Sequence, residues 1–127
     1  MKLRIQGNVL RFRLTQKEVA CLHDHNLVES AIHFPSGRAL RYVLDSSSDA
    51  SPVSAEYEGD SIRIVVPREM AVSWAQSSDV AIDGLHDPRV GILIEKDFQC
   101  LHKSDEQNPD AFPNPLARGT TRSAARR

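Results

Sequence analysis

Gly7 and Gly59 stand 52 residues apart, and what surrounds the first is repeated in kind around the second. Each glycine sits in a polar turn between two runs whose apolar residues alternate. Each is followed by a strand carrying an arginine (Leu10-Arg11-Phe12, Ile62-Arg63-Ile64), a helix start (Thr15, Pro67), a large apolar anchor (Leu22, Trp74) and a new strand (Val28, Val80). One offset kept across strand, helix and strand predicts a duplicated ββαββ unit, with copies over about residues 2–44 and 54–96. Only Gly, Arg and Val are identical among these pairs, so the repeat is one of pattern. The fold class that follows is α+β, a mostly antiparallel sheet or partly closed barrel of about eight strands with two helices.

Local signals support that order. Leu3 and Ile5, then Leu10, Phe12 and Leu14, fall on one face of two runs around Gly7-Asn8, the period of a hairpin. Thr15-Gln16-Lys17-Glu18 reads as a capping box, so a helix runs from about Gln16 toward Asp24 with Val19 and Leu22 on its apolar stripe. Strands near 27–34 and 39–44 follow, joined by Pro35-Ser36-Gly37. The Ser- and Asp-rich stretch 45–52 reads as the linker between copies. In the second copy, strands over 53–57 and 61–66 precede a helix opened by Pro67, with Met70 and Trp74 predicted as its buried stripe. Strands over 79–82 and 89–95 close it. Residues 1–102 thus form one duplicated domain. Residues 103–127, with three prolines and few large apolar side chains, form an irregular tail that is disordered after about residue 117.

Two compositional facts narrow the function. The formal charge of −1 divides into +4 on the tail arginines Arg118, Arg122, Arg126 and Arg127 and −5 on residues 1–116, an acidic body that argues against a nucleic-acid-binding face. The opening Met1-Lys2-Leu3-Arg4-Ile5 places charges at every second residue, which predicts neither a secretion signal nor a membrane span. With two cysteines, the expected compartment is the reducing cytoplasm.

No phosphate loop, nucleophile elbow or paired-histidine zinc helix occurs, and no catalytic residue is assigned. Soft ligands supply the best chemical candidates. Cys100 and His102 share a face of an extended segment, with Asp105 following, and Cys21 and His25 share a helix face; the four could complete a tetrahedral zinc site. Packing explains Cys21 equally, and His23-Asp24-His25 reads as a polar helix end. The strand arginines Arg4, Arg11, Arg13, Arg41 and Arg63 are expected on a solvated sheet face, the alternative being the lining of a barrel tunnel.

The chain start Met1-Lys2-Leu3-Arg4-Ile5-Gln6-Gly7-Asn8, the Arg-x-Arg-Leu-Thr-x-x-Glu-Val run from Arg11 to Val19, and Glu95-Lys96-Asp97-Phe98-x-Cys100-Leu101 with Asp110-Ala111-Phe112-Pro113-Asn114-Pro115 resemble a family of small uncharacterised bacterial proteins. The resemblance implies a bacterial cytoplasmic origin, transfers no catalytic residue, and directs attention to the segment 95–115. The expectation is a small non-enzymatic module that binds a protein partner through Asp97, Phe98, Asp110, Phe112 and Asn114, with Phe112 as a hook that folds the segment back. The alternative is a metal- or anion-binding protein, possible enzyme chemistry included, that uses Cys100, His102 and nearby carboxylates with zinc as cofactor.

Overall fold

The computed structural model describes residues 1–49, 52–84, 89–98, 110, 112 and 113. Within them the order ββαββ occurs twice: β1 (Lys2–Gln6), β2 (Val9–Leu14), α1 (Gln16–His25), β3 (Leu27–His33), β4 (Ala39–Ser47), then β5 (Ser54–Glu58), β6 (Ser61–Pro67), α2 (Arg68–Gln76), β7 (Ala81–Asp83) and β8 (Gly91–Lys96). None of the described helices is long and apolar enough to cross a membrane.

The strands build two four-stranded sheets, in the orders β1-β2-β8-β7 and β3-β4-β6-β5. The expected eight strands and two helices are present, but the mostly antiparallel sheet or partly closed barrel is replaced by two mixed sheets. The outer pairs are antiparallel hairpins, but the central pairs β2–β8 and β4–β6 run parallel, and no barrel closes among the described strands. Each half therefore gives its first hairpin to one sheet and, after crossing through its helix, its second hairpin to the other. Each parallel pair joins a strand of one half to a strand of the other: β5 lies between β4 and β6 in the chain, and both helices lie between β2 and β8. The two halves interlock.

The correspondence between halves is kept in the registers. Lys2 pairs with Arg13 where Ser54 pairs with Val65, and Phe12 pairs with Ile94 where Ile64 pairs with Leu44. Gly7 and Gly59 both take the left-handed backbone, at φ +58° and +59°, which glycine adopts without penalty. The offset drifts only after the helices. Val28 pairs with Leu44 where Ile82 pairs with Ile94, so the partner of Val28 is Ile82 and not Val80, which is exposed outside the strand. Four residues, 77–80, link α2 to β7 where Asn26 alone links α1 to β3.

Both sheets and both helices contribute to one apolar core. Phe12, Leu14, Ile92 and Ile94 face it from one sheet, Leu44, Ile64 and Val66 from the other, and Val19, Leu22, Ala71 and Trp74 from the helices. The α2 stripe is thus Ala71 and Trp74, three apart like Val19 and Leu22, while Met70 is exposed. The 52-residue spacing carries one helix face onto the other, and it lands on Ala71. The strand β4 runs on through Ser46 and Ser47, residues expected in the linker, because Ser46 is buried with its hydroxyl 3.1 Å from Asn26 Oδ1.

The strand arginines lie on the outer faces, where Arg11, Arg13 and Arg63 meet acids of the neighbouring strand, so the tunnel arrangement does not occur. Arg13 Nε is 3.3 Å and Arg11 Nε 3.7 Å from Glu95 Oε1, and at the corresponding points of the other sheet Arg63 pairs with Asp45. Cys21 is half-buried against the core and its thiol donates to Leu27 O at 3.3 Å. Asn26, in the left-handed region at φ 65°, ends α1 and donates its N–H to Leu22 O.

At the start of α1, Thr15 and Glu18 form the expected capping box, and the Glu18 carboxylate also takes the amino group of Met1. Burial pushes the Glu18 pKa up, but the hydrogen bonds from Met1 and Thr15 outweigh it and hold the carboxyl below its ordinary 4.5. A depressed acid stabilises the fold while ionised; that stabilisation is complete above pH 4.5 and is lost as the pH falls through the lowered value. Glu18→Gln keeps the cap geometry without the charge. Its melting temperature is expected to fall short of wild type near neutrality and to converge on it in acid, which thermal scans across pH check.

Candidate interaction site

The strand β2 ends at Leu14, α1 begins two residues on, and β8 runs parallel to β2 past that point, so the ends of both helices and of the sheet enclose a common space. This cleft, of about 1080 Å³, has an apolar floor of Leu14, Val19, Ala20 and Ala75. Its rim is polar: Gln16, His23 and Asp24 on α1, Gln76 to Ser78 at the end of α2, and Lys96, Asp97 and Phe98 at the end of β8.

Hydrogen bonds fix most of that rim. The Asp97 N–H donates to Leu14 O at 2.9 Å, continuing the parallel ladder one residue past β8, and its carboxylate lies 3.1 Å from Lys2 Nζ. Lys96 Nζ donates to Ser77 O at 2.7 Å and lies 5.4 Å from the centroid of the Trp74 ring, tying β8 to the end of α2. His23 bridges the helices, with Nδ1 2.9 Å from Asp24 Oδ1 and Nε2 3.3 Å from Gln76 Nε2. Phe98 has no such restraint and is 60% exposed. A rim held by charge pairs around an apolar floor, with one aromatic standing in solvent, is suited to seat a side chain or peptide.

Part of this rim has counterparts in the other half. His25, Arg68, Ser46, Ser47 and Ser48 stand where the first cleft has Ser77, Gln16, Lys96, Asp97 and Phe98, and they line a cavity of about 770 Å³. Leu27, Pro52 and Val65 line it as well, whereas Val66, Ala71, Val72 and His23, the counterparts of the first cleft's floor, do not. The two cavities correspond only along part of their rims.

Of the residues singled out in the sequence, Asp97 and Phe98 are at the cleft. Phe112 is 95% exposed and Asp110 is exposed, so the expected hook is not seated; one aromatic beside Asp110 and Pro113 brings too little apolar surface to hold a segment down. Cys100, His102, Asp105 and Asn114, like the tail beyond 113, lie outside the described residues. Among the described residues no group of three or more His, Cys, Asp or Glu side chains is placed to hold a metal ion. Sequence reasoning missed His23, Gln76 and Lys96 as rim residues. The only available signal was that His23 and Gln76 end two helices of matching pattern.

Residues 1–116 match the sequence model of the family of unknown function DUF7009, and the chain belongs to that family. No curated protein and no solved structure matches it.

Proposed function

We propose that this member of DUF7009 is a small non-enzymatic interaction module, built by duplication of a ββαββ unit, that receives a protein partner at the cleft bordered by Phe98. The offset shared by turns, registers and buried helix residues supports the duplication. One observation carries the binding role: the cleft of the first helix and β8 pairs an apolar floor with an exposed aromatic, Phe98, where the corresponding residue of the other half is Ser48. Burying a large apolar side chain is worth about 1.5–3 kcal/mol, so an aromatic left in water at a concave apolar site is an anchor awaiting its counterpart. A cytoplasmic location accords with this reading.

Site-specific photocrosslinking in the native host tests it. A photoreactive phenylalanine analogue at position 98 is expected to give a discrete adduct with one host protein, while the same analogue at the equivalent Ser48 gives none. Phe98→Ala should reduce co-purification of that protein by about tenfold or more, as loss of an interface anchor does. Equal crosslinking from both positions, or none from 98, would exclude the cleft as the binding site.

A further inference from the structure

At the end of the molecule away from the helices, the two hairpin tips face each other across an open groove. Ile5 and Leu10 from the first hairpin, Tyr57 and Ile62 from the second, and Val90 line it, enclosing about 270 Å³. Ile5 and Tyr57 occupy corresponding positions and point to the core side of their strands, yet they are 61% and 70% exposed. Leu10 and Ile62 are their cross-strand partners. The groove is therefore lined by equivalent residues of both halves. Its borders are the edge strands β1 and β5, whose backbone is unpaired on the outer side.

The two borders differ in charge. The strand β1 carries Lys2 and Arg4 where β5 carries Ser54 and Glu56, and Glu58 follows where β1 has Gln6. Lys2 is paired with Asp97, and Glu56 lies 3.8 Å from Arg63, but Arg4 and Glu58 form no ion pair among the described residues. Alternation sends Arg4, Glu56 and Glu58 to the outer faces, opposite to Ile5 and Tyr57, so a basic and an acidic strand edge form the two shoulders of the apolar groove.

We infer that this groove is the interface of a two-fold symmetric homodimer in which β1 of each copy lies against β5 of the other. Two like faces of this kind can meet by either of two perpendicular rotations. One opposes β1 to β1 and sets Arg4 against Arg4; the other opposes β1 to β5 at both ends and sets Arg4 against the Glu56 and Glu58 edge twice. Charge selects the second, and an isologous contact closes without leaving a free binding edge. The same contact covers Ile5 and Tyr57 and shields two sheet edges that would otherwise recruit other strands.

Sedimentation equilibrium over a concentration series tests the proposal with the full-length chain. The wild type is expected as a dimer. Arg4→Glu alone, and Glu56→Arg with Glu58→Arg, should each weaken dimerisation by about tenfold or more, because each opposes like charges at both contacts. Mixing the two variants in equal amounts should restore the dimer, since both contacts then join opposite charges. All three positions are exposed, and circular dichroism identifies any variant that fails to fold. A wild type that stays monomeric, an open-ended assembly, a dimer indifferent to Arg4→Glu, or a mixture that does not associate would each overturn the inference.

Discussion

Replacing Trp74 with alanine is expected to lower the free energy of unfolding by about 3–5 kcal/mol, the range for truncating large core aromatics. The indole is 3% exposed and holds the point on α2 that Leu22 holds on α1. Truncation would open a void between the helix and both sheets and would remove the ring beneath Lys96, whose ammonium lies 5.4 Å away. Trp74→Phe should behave differently. The indole Nε1 is buried without a hydrogen-bond partner among the described residues, so the phenyl ring discards an unsatisfied donor while keeping most of the apolar volume. The expected cost is below about 1.5 kcal/mol. Urea denaturation of the two variants decides the matter: a phenylalanine variant as unstable as the alanine one would show that indole shape, not apolar volume, sets the contribution.

The same pair of positions shows what was legible in the sequence. Leu22 and Trp74 were found from spacing alone because a helix crossing over a sheet must present one stripe, and a repeated unit presents it at a repeated place. The capping box of Thr15 and Glu18 and the turns at Gly7 and Gly59 were legible for an equally local reason: each is a bargain between a backbone conformation and one or two side chains. The pairing of one hairpin with another was not. Alternation tells which face of β8 is buried, but Ile92 and Ile94 would be buried beside an antiparallel or a parallel neighbour alike, so the exchange of hairpins between sheets left no mark. Ser46 misled because a polar residue in a Ser-Asp run reads as linker, whereas Asn26, distant in sequence, offers it a partner inside. The cleft was half legible. Asp97 and Phe98 stood out as residues that packing does not require, but the floor they border exists only because the C-terminal strand returns beside β2.

Gly84 is the site at which the smallest addition should do the most harm. It follows β7 directly and is buried, with its N–H donated to Ile92 O at 2.9 Å. A methyl group there would lie 2.7 Å from Val53 Cγ1 and 2.9 Å from Val53 Cβ. Val53 cannot withdraw: it is buried, its β-branched side chain is stiff, and it leads directly into β5 of the opposite sheet. The residue of the first half that corresponds to Val53 is Met1, whose carbonyl accepts a bond across to the other sheet from the Tyr42 hydroxyl at 3.3 Å. These contacts fasten the start of each half to the sheet it does not enter. Gly84→Ala must therefore either separate the sheet edges or force Val53 off its rotamer, at a cost of about 1–3 kcal/mol. If the close approach is the cause, Val53→Ala in the same chain should relieve it, leaving the double variant more stable than the sum of the single losses by about 0.5 kcal/mol or more. Strict additivity in that cycle would mean that the penalty arises in the backbone at Gly84 and not in its contact with Val53.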